Sequence, residues 1–295
     1  YTNDGKKDFA KYRYQIGSVT KTFTGAMLAK EIYDGKMSLN DPVGKYLKVS
    51  GKSYDPTFEE LVTHRSGLSA IWDNALAKSN DIFREKYSRD DMIKMLEGSS
   101  VKDGSYDFEY SNFGAGLVGT ATTNEIDENL SYQEAMNIFI KEELGLSDTT
   151  VGDIGDFKDN YLWNQNDEMM GAGAIVSTIP DLLKYGKRYL SNDPKYDFLD
   201  LCEKSVGTVN DTYDIGYFWL IDKEEGFIWH NGEVAFDNEE GKTVGYMSFV
   251  GISPKKDKVV VILNNGISYD GDNALTDILG YLLMKANEFF GRNRV

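Results

Sequence analysis

The chain has 295 residues, 41% of them hydrophobic, enough for a sizeable core in one large domain or two lobes. Its formal charge of −16 is spread along the sequence and argues against nucleic acid and anionic membranes as main partners. A single cysteine, Cys202, excludes an internal disulfide, and two distant histidines without CxxC, HExxH or EF-hand spacing support neither a metal site nor another cofactor.

Residues 9–15 read as a strand and 19–34 as a buried helix, with apolar Phe23, Ala26, Met27 and Ile32 and a stop near Gly35. Between them, IGSVTKTF puts Ser18 and Lys21 three apart, on one helix face. A serine alcohol is a poor nucleophile, and a lysine beside it can take its proton, as Ser-Lys hydrolases do. The plainer reading is a helix-capping serine with a solvated lysine. A second Ser-x-x-Lys, Ser253 to Lys256, contains Pro254 and leads into a β-branched run, so it reads as a turn between strands.

From 56 to 205 the chain is mostly helical in its spacing: TFEELVTH, SRDDMIKMLEG, GAGLVGTATTNEI, YQEAMNIFIKEELG and TIPDLLKYGKRYL. In LVTHRSGL, His64 could be proposed as the base of a Ser-His pair. No G-x-S-x-G elbow exists, and local hydrogen bonding in the turn is the job assigned to it. FEYSNFGAGLVG sets Tyr110 and Asn112 just before a Gly-rich helix. A phenol lowered in pKa by nearby cations can shuttle protons, and an amide can hold a substrate amide. A loop tyrosine and a turn asparagine are the plainer readings, and Tyr1-Thr2-Asn3 repeats the tripeptide at the terminus.

The tail changes character. DIGYFWLI, GFIWHNG, TVGYMSFVGI and DKVVVILNN read as successive antiparallel strands, and NALTDILGYLLMKANEFF as an amphipathic helix. His230 and Gly232 fall on a strand, where glycine often marks close approach of another backbone or a ligand. Gly241-Lys242-Thr243-Val244 is a decoy for Lys-Thr-Gly, because valine stands where the glycine should be. The pattern predicts an α/β lobe from about 1–40 and 206–295 and a helical lobe from about 41–205, together one catalytic domain, with a cleft between them. No apolar run approaches the ~18–20 residues of a membrane span. The chain opens on Tyr1 rather than a methionine, so an upstream segment is expected, and the missing signal peptide does not argue for the cytoplasm.

Ser-x-x-Lys, Tyr-x-Asn and His-x-Gly, in this order and these elements, resemble the penicillin-recognising serine hydrolases, in particular the group around class C β-lactamases, D,D-peptidases and related esterases. LVTHRSGL, YSNFGAGLVG, GAGAIVSTIPDLLKYGKRYL and GYMSFVGISP with VVVILNN are similar to that family's segments and cover most of residues 10–290. The resemblance implies an antiparallel sheet flanked by helices plus a helical lobe. It implies Ser18 as the acylated nucleophile, Lys21 assisting its deprotonation, Tyr110 as base and then acid, and Asn112 holding the acyl side. Which of Lys21 and Tyr110 is the true base stays open. His230 takes the place of the lysine in Lys-Thr-Gly, and the backbone N–H groups of Ser18 and Glu233 form the oxyanion hole beside Gly232. The implied activity is hydrolysis of D-alanyl amides or esters, or similar small or cell-wall acyl compounds, in an extracytoplasmic or cell-surface setting. A non-catalytic penicillin-binding or sensor-like domain and a true β-lactamase are the alternatives.

Two departures stand out. Ser18 lies close to the start of the chain, whereas the family usually carries a helix and two strands ahead of its serine. The strand at 9–15 is therefore expected to be an open sheet edge, covered by a second copy in a homodimer or by an upstream segment. EVAFDNEEGKTV then enlarges the hairpin after His-Asn-Gly with acidic residues, which would favour a cationic substrate if it folds over the cleft.

Overall fold

In a computed structural model of the chain, residues 8–49, 54–68, 85–102, 104–271 and 273–286 are described. The Tyr1-Thr2-Asn3 tripeptide and the end of the last expected helix lie outside them. A 3-10 turn at Phe9–Lys11 leads to β1 (Tyr14–Gln15). A second 3-10 turn, Gly17–Val19, opens directly into α1 (Thr20–Tyr33). The strand expected over 9–15 is thus confined to its last two residues. Upstream, Phe9 and Tyr12 gather with Tyr14 of β1 around the Phe157 ring instead of extending the ladder. Every residue from Thr20 to Ala29 is buried, so α1 is a central helix covered on all sides.

The helices that follow are α2 (Gly44–Leu47), α3 (Phe58–Val62), α4 (Arg89–Glu97), α5 (Asn112–Ile126) and α6 (Tyr132–Glu142). Reciprocal capping boxes fix three of their starts: Thr57 with Glu60, Ser88 with Asp91 and Ser131 with Glu134. Next come β2 (Thr150–Val151), β3 (Ile175–Ser177) and α7 (Ile179–Tyr189). Strands β1 and β2 both pair antiparallel with β3 in a small sheet of order β1-β3-β2, which the sequence pattern did not reveal.

The tail builds a six-stranded antiparallel meander in chain order: β4 (Gly207–Thr208), β5 (Tyr213–Ile215), β6 (Leu220–Asp222), β7 (Ile228–Asp237), β8 (Thr243–Ser253) and β9 (Lys258–Asn264). DIGYFWLI, expected as one strand, splits between β5 and β6. Ile215 pairs with Leu220 across a tight reversal that holds Phe218 at a positive φ of 66°. Ser253 to Lys256 is the turn expected of it, with the Ser253 hydroxyl accepting the Lys256 N–H. Strands β10 (Tyr269–Asp270) and β11 (Asn273–Ala274) form a minimal hairpin before α8 (Leu275–Lys285).

Alternation along β8 fills two layers. Val250 and Ile252 enter the large core that contains Val19 of the 3-10 turn and Phe23 of α1, while Phe249 meets Met284 of α8 on the opposite face. Among the described residues the outermost strand on that side is β9, not residues 9–15, because β1 belongs to the small sheet. All seven residues of β9 are partly exposed, and Leu275, Leu279, Leu282 and Leu283 of the neighbouring α8 are 41–62% exposed.

Candidate active site

The serine does not cap α1, whose first turn has no side-chain cap, and the lysine is not solvated: Lys21 is fully buried. Its Nζ lies 3.2 Å from Ser18 Oγ, 2.7 Å from Asn112 Oδ1 and 2.7 Å from the Ala172 carbonyl oxygen. The two shorter partners can only accept, so each takes one N–H. The third contact, to Ser18, then depends on charge. An ammonium donates its last proton to Oγ, whereas a neutral amine turns its lone pair to the serine O–H. Burial drives the lysine pKa well below its usual value and so favours the amine, the form that can receive a proton.

Tyr110 and Asn112 flank Ser111, whose hydroxyl caps α5 by accepting the Gly114 N–H. This local turn delivers Asn112 to Lys21 and sets the Tyr110 ring beside it, with Nζ 4.7 Å from the ring centroid. The phenol oxygen is buried and forms no hydrogen bond of normal geometry among the described residues. Burial pushes its pKa up, opposed only in part by interaction with Ser18. The expectation of a phenol lowered by neighbouring cations therefore meets the opposite electrostatics, and the resting Tyr110 is protonated.

Beyond Trp229, one edge of β7 is paired with β8 and the other faces the 3-10 turn carrying Ser18. Gly17 and Gly232 make this approach possible. Gly17 has a φ of +51°, and a Cβ on it would stand 2.8 Å from the Glu233 backbone nitrogen. A Cβ on Gly232 would stand 2.0 Å from the Ile16 carbonyl oxygen and 3.0 Å from the Ser18 nitrogen. The Ser18 and Glu233 amides are thereby brought to the same small space. The Ser248 hydroxyl bridges the gap by donating to the Ile16 carbonyl at 2.7 Å. The Glu233 carboxylate turns outward and accepts from the Tyr269 hydroxyl.

His230 is buried, its ring centroid 6.3 Å from that of Tyr110, with Nδ1 bonded to the Asn231 carbonyl. Burial and the neighbouring Lys21 push its pKa down to about 4. Its imidazole is neutral at pH 7, so any attraction for anions that needs the imidazolium is confined to acid pH.

A cavity of about 200 Å³ opens beside Ser18, lined by Asn112, Ala172, Gly173, Glu233, Val234, Tyr161 and Trp163. Sequence reading missed Tyr161 and Trp163; the aromatic cluster in the irregular NYLW run was the available signal. Gln15 holds Tyr161 like an extra ladder rung, donating to its carbonyl at 2.6 Å and accepting its N–H at 2.9 Å. An outer cavity of about 600 Å³ shares the Tyr161 wall with it and lies between residues 158–162 and the tip of the β7–β8 hairpin. The acidic insertion lengthens both strands, which pair as far as Asp237 with Thr243. Its tip packs on 158–162 through Asn238 to Asp159 and Lys158 to Glu240.

The Beta-lactamase family model matches residues 8–281. The chain is 31% identical over 185 residues to a Beta-lactamase from Providencia stuartii, covering 58% of this chain and 45% of that protein. It is 25% identical over 287 residues to Protein flp from Staphylococcus aureus strain MW2, covering 86% and 53%. It thus spans about half the length of these curated relatives. Two solved structures agree in fold. The octameric penicillin-binding protein homologue from Pyrococcus abyssi gives a TM-score of 0.66 at 23% identity, covering 92% of this chain and 66% of that one. Beta-lactamase/D-alanine carboxypeptidase from Yersinia pestis gives 0.71 at 17%, covering 96% and 86%. With a family match running through the Ser18 turn, the Tyr110 loop and the β7 edge, this chain belongs to the Beta-lactamase family.

Proposed function

We propose that the protein is an acyl-serine hydrolase acting on D-alanyl amides or esters, or similar small acyl compounds, outside the cytoplasm. The observation that carries this reading is the buried Lys21, whose Nζ is held by Asn112 and Ala172 at 3.2 Å from Ser18 Oγ, so that its neutral form, which burial favours, turns a lone pair to the serine. Ser18 Oγ attacks the carbonyl carbon while its proton passes to Lys21, and the carbonyl π pair moves onto oxygen. The Ser18 and Glu233 amides stabilise that oxyanion, a contribution of several kcal/mol for such donor pairs. Tyr110, kept protonated at rest by burial, gives its proton to the leaving amine or alkoxide and recovers one from Lys21. Water then hydrolyses the ester on Ser18 and restores the serine. A fluorescent penicillin or phosphonate probe tests this: labelling that vanishes in Ser18→Ala supports the acyl-enzyme. Labelling unchanged in that variant would remove Ser18 as the acylated residue, and no labelling of the unaltered protein would favour a non-catalytic binding domain.

The outer cavity narrows the substrate class. Its wall carries four carboxylates, Asp159, Asp237, Glu239 and Glu240, against one lysine among the described residues, Lys158. Asp237 lies four steps along the strand from Glu233, about 13 Å at ~3.3 Å per residue. The ammonium of a simple D-alanyl ester sits too close to its own carbonyl to reach them. A longer acyl chain can pass Trp163 and Tyr161 and present a cation there, as in a peptide ending in D-alanine with a free amine a comparable distance upstream. The exposed β9 edge and α8 leucines support coverage by a further strand, from a second copy or from chain preceding Tyr1. Light scattering of this chain alone distinguishes the two.

A further inference from the structure

His64 is used by none of these steps, yet it grips the Tyr110 loop on both sides. It ends α3 at a positive φ of 55°, a conformation tolerated by His and Asn but strained for most side chains. That geometry sends its carbonyl and its ring in the same direction. The His64 carbonyl accepts the Glu109 N–H at 2.8 Å, and its Nδ1 accepts the Ser111 N–H at 3.0 Å. Between these two anchors stands Tyr110, whose ring centroid is 4.5 Å from that of His64. Phe218 and Phe108 close the other sides of the imidazole at 5.2 and 5.7 Å. Because Nδ1 accepts, the proton sits on Nε2, which is buried and unbonded among the described residues. Burial foremost, with charge on Lys21, opposes a second proton, which would turn Nδ1 into a donor facing another donor.

We infer that His64 is a positioning residue for Tyr110, holding the loop at 109–111 through a neutral, Nε2-protonated imidazole so that the phenol stays aimed at Ser18. The inference rests on the reading that Tyr110 takes part in acylation. Both hydrogen bonds go to backbone, so what His64 fixes is the direction of the Tyr110 Cα–Cβ bond. A misplacement of about 1 Å at a reacting group is worth about a hundredfold in rate.

The test is the rate of covalent labelling by a fluorescent penicillin, resolved into probe affinity and acylation rate, with thermal melting measured in parallel. His64→Asn keeps an acceptor at the Nδ1 position and tolerates the positive φ, and is expected to acylate within about threefold of wild type. His64→Gln carries its amide to the Nε2 position instead. It is expected to acylate ~10–100-fold more slowly, as is His64→Ala, with probe affinity little changed. In a Tyr110→Phe background His64→Gln is expected to add no further loss, since the group it positions is gone. Equal rates for His64→Asn and His64→Gln, or a loss that persists in full without the Tyr110 hydroxyl, would overturn the inference. Full activity of Tyr110→Phe alone would instead remove the mechanistic reading beneath it.

Discussion

Gly232→Ala is the sharpest probe of how the fold builds the site. A Cβ there would meet the Ile16 carbonyl oxygen at 2.0 Å, the Ser248 hydroxyl at 2.6 Å and the Ser18 nitrogen at 3.0 Å, where ordinary contact begins at 3.4 Å. To relieve the worst overlap, β7 and the turn before Ser18 must part until that 2.0 Å approach opens to 3.4 Å. Two of the three atoms are backbone, so no rotamer change absorbs it. The Ser248 to Ile16 hydrogen bond lies in the path and is lost with it. Overpacking of this kind costs about 1–3 kcal/mol of stability, leaving a folded protein that melts several degrees lower. The rate effect is larger, because the Ser18 and Glu233 amides no longer converge on one oxygen. Loss of one such donor lowers acylation by ~10²–10³-fold. The control is Gly226→Ala, which has a positive φ of +71° but no described atom within 4 Å, and is expected to lose some stability and no acylation rate. Labelling by a fluorescent penicillin, followed by gel against time, reads both. A folded Gly232→Ala protein acylating at the wild-type rate would refute the proposed oxyanion site.

Lys21→Ala strands the Asn112 and Ala172 oxygens and removes the proton acceptor; Lys21→Ala and Tyr110→Phe are each expected to slow acylation by ~10²–10⁴-fold. Wild-type rates in either would remove that residue from the step. His230, held down to about 4 from an unfolded value of 6.5, contributes stability that is complete above pH 6.5 and lost as pH falls toward 4. The stability difference between wild type and His230→Asn in urea melts should therefore grow by about 2–3 kcal/mol from pH 4 to 7, and a pH-independent difference would contradict the burial argument. β-Lactams are expected to acylate Ser18 but turn over slowly, since no described residue near Ser18 is assigned to activating the deacylating water; nitrocefin turnover at ~10–10³ s⁻¹ would contradict this. Peptides ending in D-alanine whose free amine can reach the outer cavity should be preferred to their acetylated forms at low salt. That preference should fade near 1 M salt, where the Debye length is ~3 Å, and should vanish when the four outer carboxylates are made amides. Equal kcat/KM for both forms at low salt would leave the outer cavity without that role.

Local chemistry was legible before any fold was known. The three-residue spacing of Ser18 and Lys21 needs only one helical turn; the capping boxes at Thr57, Ser88 and Ser131 also need only their own four residues, though the sequence reading did not single them out. The helices of the middle region and the long strands β7, β8 and β9 follow from periodicity. Residues 9–15 and DIGYFWLI misled because short apolar and aromatic runs carry no partner information: the first found Phe157 and β3, the second folded back on itself. Tyr110, Asn112, His230 and Glu233 could be assigned to the site from sequence only through family resemblance, since they lie far from Ser18 along the chain. What only tertiary structure decided is the protonation of the site. Whether Lys21 is an amine, Tyr110 a phenol and His230 a neutral ring depends on how much water and charge surround each, and burial is set by segments distant in the chain. The same holds for His64: its spacing in LVTHRSGL announces a helix end, but its two bonds to the Tyr110 loop exist only because the fold brings 64 against 109 and 111.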